Sequence, residues 1–324
     1  MMHAIELRDG VMQWCELPDI APGVGEILIA NHATAINRAD LVQRTGGYPP
    51  PAGASPIMGL ECAGEVLAVG EGVNSYKPGD TVCALLAGGG YADRVVVPAG
   101  QAVPIPKGLD FAQAASLPEV YATAFLNLFL EGQLQLGERV LLHAGASGVG
   151  TAAIQLCVAF GSPCYVTAGS DDKIARCVAL GAQGGANRHG DGFKPLVQGW
   201  TDGNGFDVIM DPVGARYLTD NLQALAIDGR LVLIGLMGGV SSELHLGKLL
   251  MRRLRIIGST LRARSVARKS EIMDQLRRRV WPLIGSGEIK PIIDAVFPIT
   301  QAEAAHKLIA SDATFGKVVM TIPN

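Results

Sequence analysis

The chain has 324 residues, 48% of them hydrophobic and 18% charged, with 41 glycines. That balance suits a globular α/β protein with many tight turns and excludes a disordered or fibrous chain. The formal net charge of −3 offers no positive field to hold a polyanion through its phosphates, so nucleic acid is not the expected partner.

The N-terminus, Met-Met-His-Ala-Ile-Glu-Leu-Arg, lacks the basic-then-apolar pattern of a signal peptide, and no apolar run reaches the roughly 18 residues of a membrane span, so a cytoplasmic protein without membrane contact is expected. Short strands are predicted at Ala4–Leu7, Met12–Glu16, Glu26–Asn31, Cys62–Val69, Thr81–Leu85 and Tyr91–Pro98, set apart by Gly, Pro and Asp turns. They make a β-rich first lobe. From about Phe111 the pattern turns helical, and from Arg139 strands alternate with helices. Strand Arg139–Ala144 leads to helix Gly150–Phe160, Pro163–Ala168 to Lys173–Leu180, and Val208–Asp211 to Arg216–Leu225, with strand Arg230–Leu236 following. This alternation predicts a parallel, doubly wound sheet covered on both faces.

After Ile256–Ser259 come a helix over Ser270–Ile284, a strand Ile292–Pro298, a helix Ala302–Ile309 and a strand Lys317–Ile322. That order does not continue the alternating pattern, so the tail is expected to rejoin the first lobe. The expected division is 1–120 and 260–324 for one domain and 121–259 for the other. The basic run Arg252, Arg253, Arg255, Arg262, Arg264, Arg268 and Lys269 reads first as a solvated face. Six cysteines without a C-x-x-C pair indicate reduced thiols, with neither a disulfide framework nor a zinc knuckle.

Residues 139–156 read as strand, glycine-rich turn and helix. That order lets a pyrophosphate approach backbone N–H groups at the positive end of a helix. Gly145, Ala146, Ser147, Gly148, Val149 and Gly150 are the predicted phosphate loop, although Ser147 stands where the strict G-x-G-x-x-G pattern has its middle glycine. In NAD enzymes an acid about 20 residues further on binds the ribose hydroxyls. Here that position holds Ala168, while Gly169 and Ser170 end the strand and Lys173 follows with a cation. NADPH is therefore the predicted cofactor, provided Asp171 and Asp172 point away. The alternative reading of Lys173 is a solvated lysine in the first turn of the helix.

Several ordered blocks resemble a known family: Asn37-Arg-Ala-Asp40, Gly46-Gly-Tyr48-Pro-Pro-Pro, Gly59-Leu-Glu61-Cys-Ala-Gly-Glu-Val66, His143 through Gly150, Thr167-Ala-Gly-Ser170 and Gly235-Leu-Met-Gly-Gly239. They look like the quinone oxidoreductase branch of the medium-chain dehydrogenases, and within it the p53-inducible quinone oxidoreductase group, a neighbour of zeta-crystallin. The resemblance implies an α/β protein made of a GroES-like β-rich catalytic domain split around a Rossmann domain, and a homodimer built through the edges of the cofactor domains. Zinc-using relatives carry a Cys and a His where this chain has Asn37 and Leu60, so no metal is expected.

Without a metal to lower an alcohol's pKa, reduction of a quinone is the expected chemistry, since it asks only for positioning and one or two hydrogen-bond donors. The resemblance assigns Tyr48 as donor to the substrate oxygen and Asn37 as the residue orienting it or a water. Read alone, the tyrosine simply packs its loop and the asparagine forms a turn. Thr123 matches a family threonine near the nicotinamide ribose, Arg188 stands near the adenosine phosphate where relatives have a tyrosine, and Gly235, Leu236 and Met237 border the nicotinamide. Leu261 and Arg262 are expected to flank the cofactor. Two other functions remain open: reduction of a conjugated carbonyl such as an enone or enoyl thioester, and a non-catalytic, crystallin-like protein that binds NADPH or RNA.

Overall fold

Asp9 and Gly10 both take positive φ, 50° and 78°. A two-residue type I′ turn requires this, and it joins strands Met2–Arg8 and Val11–Leu17 into an antiparallel hairpin. In this computed structural model, which describes residues 1–323, the hairpin belongs to the first of two units, formed by Met1–Ala122 together with the chain from Leu261 onward. Its main sheet has strands Ile293–Pro298, Lys317–Thr321, Glu26–Ala35, Glu61–Val69, Thr81–Leu85 and Ala102–Pro104 in that order, with Arg94–Pro98 also paired to Glu26–Ala35. The final strand lies antiparallel to Glu26–Ala35, Val319 opposite Ala35, so the C-terminal tail completes a sheet begun by the first hundred residues. Alternating positions bury Ile27, Ile29, Val66, Val82, Val95 and Val97 in one core. Gly64 is obligatory here, because a Cβ would overlap the Ala30 carbonyl oxygen on the neighbouring strand.

The second unit, Thr123–Thr260, holds a six-stranded parallel sheet. Its strands run Gly184–Asn187, Cys164–Ala168, Val140–Leu142, Phe206–Asp211, Leu225–Leu233 and Arg255–Gly258 across the sheet. By their order in the chain this is third, second, first, fourth, fifth, sixth, the doubly wound Rossmann arrangement, and ligands bind where that order reverses. The reversal falls between Val140–Leu142 and Phe206–Asp211. The loops at the carboxyl ends of those two strands carry His143–Ser147 and Pro212–Gly214.

Several elements depart from the predicted ones. The single helix over Ser270–Ile284 is two, Val266–Arg279 and Trp281–Gly285, because Pro282 in the first turn of the second lacks the N–H that a continuous helix would use. The strand ending at Leu236 stops at Leu233, so Gly235, Leu236 and Met237 sit in a turn, tied by hydrogen bonds from Met237 N to Pro212 O and Gly238 N to Val213 O. The strand predicted from Tyr91 begins at Arg94. Strand Gly184–Asn187 was not predicted because paired glycines disfavour strands. Gly185 is nonetheless needed, since a Cβ would lie 2.6 Å from Ile174 Cγ2. Among the described residues no helix is long and apolar enough to cross a membrane, and all six cysteines are free thiols.

Candidate active site

In the α/β unit the predicted phosphate loop lies at the sheet's reversal point. Strand Val140–Leu142 ends at His143, Ala144 turns with φ 55°, and Ser147 caps helix Gly148–Ala159 by accepting from Gly150 N at 3.0 Å. The serine in the middle-glycine position therefore has a local task as helix cap. Two glycines of the loop are fixed by packing. A Cβ on Gly145 would come within 2.6 Å of Val166 Cβ, and one on Gly150 within 2.5 Å of the carbonyl oxygens of Ala144 and Gly145. Ala146 is buried, and Gly148 and Val149 form the first turn of the helix. The result is a tight, side-chain-poor turn against a helix N-terminus.

Beneath this loop runs a buried polar chain that sequence reasoning missed. His143 Nε2 lies 2.7 Å from Asn221 Oδ1, its Nδ1 3.0 Å from Thr167 Oγ1, and Asn221 Nδ2 donates to Asp211 at 2.9 Å. Asp211 also accepts from Val213 N and Gly214 N. Burial pushes the histidine down to about 4 and the aspartic acid up to about 6. The chain thus links the two loops flanking the reversal point, and its members come from four separate stretches with no local signature.

The next strand, Cys164–Ala168, ends at Gly169 and Ser170. Ser170 Oγ accepts from Lys173 N at 3.2 Å and so caps helix Asp171–Ala179. Asp171 is turned toward Asn187, whose Nδ2 it accepts at 3.0 Å. The Arg188 guanidinium packs over Gly169, where a Cβ would meet it at 3.5 Å. Gly169, Ser170 and Arg188 thus meet at one strand end, and Lys173 stands in the first turn of the helix that Ser170 caps. Thr123 lies in helix Pro118–Phe125, its carbonyl accepting Asn127 Nδ2 at 2.7 Å. Leu236 and Met237 are half exposed in their turn.

In the β-rich unit, Tyr48 sits half-buried in the loop after helix Arg38–Arg44. No described residue hydrogen-bonds to its hydroxyl. Burial, reinforced by the charge of Glu119 and opposed by Arg262, raises its pKa above the ordinary phenol value. Arg262 is buried beside this tyrosine. Its guanidinium is turned into the protein, and it lies 5.3 Å from the Tyr48 ring centroid. Leu261 beside it is buried.

Asn37 is held by three partners. Its side chain donates to Ala35 O at 3.2 Å and Glu61 Oε1 at 3.0 Å, and accepts from Lys317 Nζ at 2.7 Å, with no hydrogen bond to Tyr48. Lys317 and Glu61 form a buried ion pair at 2.7 Å, completed by Lys317 Nζ to Ile36 O and by Glu119 N to Glu61 Oε2. Asp40, close by and fully buried, accepts from Asn37 N and Gly59 N, and burial lifts it to about 6. The sequence held a signal for Glu61 in the Gly59-Leu60-Glu61 block, and none for Lys317.

Two protein-family models match parts of the chain. Residues 23–107 match the model of an alcohol dehydrogenase GroES-like domain, and residues 148–277 that of a zinc-binding dehydrogenase. The chain is 32% identical over 318 residues to a phthioceranic/hydroxyphthioceranic acid synthase of Mycobacterium tuberculosis, covering 97% of this chain and only 15% of that much longer protein. It is 29% identical to a quinone oxidoreductase of Rattus norvegicus, covering 93% of this chain and 91% of the relative. Among solved structures it resembles an NAD-dependent alcohol dehydrogenase with TM-score 0.86 and 30% identity, each chain fully covered. It also resembles the CurK enoyl reductase, with TM-score 0.87, 28% identity and 99% of each chain covered. A mycobacterial protein solved in complex with NADPH gives TM-score 0.88 and 28% identity, covering 99% of this chain and all of the other.

Proposed function

The chain belongs to the medium-chain dehydrogenase/reductase superfamily of oxidoreductases, and on that premise we propose that it is an NADPH-dependent quinone reductase that works without a metal. The observation that carries this reading is the half-buried Tyr48 phenol, whose hydroxyl no described residue occupies, with the Arg262 cation 5.3 Å from its ring. A preorganised donor of this kind serves an oxygen on which negative charge develops. Hydride chemistry is what the nicotinamide supplies when bound. Two-electron reduction of a quinone then needs a proton, and Tyr48 holds one at its hydroxyl, which burial keeps protonated at neutral pH.

A catalytic zinc does not fit these residues. Such a site needs three protein ligands, and among the described residues no group of three or more His, Cys, Asp or Glu stands close enough to hold a metal. Leu60 is buried and apolar, while Glu61 and Asn37 are already engaged by the Lys317 ammonium.

NADPH as cofactor is supported by the loop Gly145–Gly150 and by Ser170, Lys173 and Arg188, with Ala168 in the place of an acid. Lys173→Ala and Arg188→Ala are each expected to weaken NADPH binding by roughly ten-fold or more, the worth of a charge-assisted hydrogen bond, and to leave NADH nearly unaffected. Fluorescence titration with both nucleotides checks this. Equal weakening of the two would remove these residues from the 2′-phosphate site. A homodimer is part of the same reading: strand Arg255–Gly258 ends the described sheet, and exposed Leu246, Leu250 and Met251 precede it.

The rat quinone oxidoreductase, matched over nearly its whole length, favours a quinone as acceptor. The CurK enoyl reductase favours a second reading, reduction of a conjugated double bond. Following NADPH oxidation with 1,4-benzoquinone, 9,10-phenanthrenequinone and an enoyl thioester, with and without a chelator, separates them. Chelator-insensitive turnover of the quinones is the expected result. Turnover of the thioester alone would move the enzyme to the double-bond reductases, and loss of activity on chelation would overturn the metal-free reading.

A further inference from the structure

Arg262 is only 3% exposed and spends three of its five N–H donors on protein acceptors. Its Nε donates to Ala87 O at 2.7 Å, Nη1 to Tyr48 O at 3.2 Å and Nη2 to Gln43 Oε1 at 2.7 Å. These acceptors lie in three separate segments: the turn after strand Thr81–Leu85, the Tyr48 loop, and helix Arg38–Arg44. The backbone of Arg262 is held in turn, because Lys269 Nζ, from helix Val266–Arg279, donates to its carbonyl oxygen at 3.4 Å. A planar fork that donates in three directions at once is a clamp, and lysine cannot reproduce it. A guanidinium committed in this way is poorly placed to serve as a ligand for cofactor phosphate.

We propose that Arg262 is a positioning residue that acts through Tyr48, clamping the Tyr48 loop and setting a positive charge beside the ring so that the phenol is aimed and kept a competent donor. The assignment of Tyr48 as donor rests on the reductase reading above. The physical coupling of Arg262 to Tyr48 does not. The cation also has an electrostatic consequence. Burial and the Glu119 carboxylate raise the phenol's pKa and Arg262 opposes them, while Asp40, Glu119 and Lys269 are the charged groups around Arg262 itself.

The test uses the full chain labelled with ¹³C-tyrosine, with the Tyr48 signal assigned by its loss in Tyr48→Phe. In Arg262→Met the Tyr48 titration is expected to move up by about one pH unit, as when a neighbouring cation is removed. NADPH affinity stays unchanged, and quinone turnover falls roughly ten-fold through lost alignment of the donor. The same substitution in a Tyr48→Phe background should add almost nothing to the loss. Weaker NADPH binding with an unmoved titration would make Arg262 a cofactor ligand and overturn the proposal, as would equal losses of turnover in both backgrounds. If Tyr48→Phe alone leaves turnover intact, the reductase reading falls, while the titration still decides the coupling. Should Arg262→Met fail to fold, Gln43→Leu removes one of the clamp's three acceptors. It is expected to lower turnover at unchanged NADPH affinity, and full activity would count against the clamp.

Discussion

Replacing Tyr48 with phenylalanine is expected to lower quinone turnover by roughly 10²-fold, the usual effect of deleting one preorganised donor to a developing oxyanion, while NADPH affinity stays nearly unchanged. The ring remains half-buried beside Arg262, so the substitution removes a hydroxyl and little packing. No described residue takes a hydrogen bond from that hydroxyl, so no protein partner is left unsatisfied and folding is undisturbed. The phosphate loop Gly145–Gly150 belongs to the other unit, which is why affinity and turnover should separate. Steady-state kinetics together with nucleotide titration decide the matter. A variant that binds NADPH poorly, or one that turns over normally, would remove Tyr48 as the donor.

Lys317→Met is expected to destabilise the β-rich unit by about 3–5 kcal/mol, the cost of leaving one member of a buried ion pair uncompensated. Lys317 and Glu61 have side chains only 5% and 0% exposed, and the ammonium satisfies Ile36 O, Asn37 Oδ1 and Glu61 Oε1 together. Removing it strands a carboxylate that keeps only the Asn37 and Glu119 donors. The double variant Lys317→Met, Glu61→Gln should recover much of the loss, because the orphaned charge goes with its partner. Urea unfolding of the single and double variants measures both. A single variant as stable as the parent would mean that water reaches Glu61.

The same substitution carries a pH signature. Burial lifts Asp40 to about 6 while Lys317 pulls it down. A carboxyl whose folded-state pKa lies above its unfolded value favours the fold at low pH, and that contribution is lost as pH rises through the folded pKa. Without Lys317 the Asp40 carboxyl rises further, so the deficit of Lys317→Met should be greater at about pH 7.5 than at about pH 5. A deficit that does not change with pH would mean that Asp40 does not sense Lys317.

Much of the α/β unit could be read from the chain because its signals are local. Cys164–Ala168 is a short apolar run between turn residues, and the glycine-rich turn before helix Gly148–Ala159 announces itself within a dozen positions. The vacancy of an acid at Ala168 is a single-residue fact. The helix break at Pro282 was also written in the sequence, although the apolar spacing on both sides hid it. The partners of Arg262 were not legible for a different reason: its neighbours in the chain, Ser-Thr-Leu and Ala-Arg, say nothing about Gln43, Tyr48 and Ala87, which lie 175 to 219 positions away.

By itself, then, the sequence determined the two kinds of unit and the strand, glycine-rich turn and helix of residues 139–156, because each follows from short-range periodicity or turn chemistry. Only the tertiary structure decided which charges meet. Lys317 finds Asn37 across 280 positions because the last strand pairs with Glu26–Ala35. The physical reason is that a buried ion pair is chosen by desolvation at a point fixed by the whole sheet, and no local pattern in the chain records where that point lies.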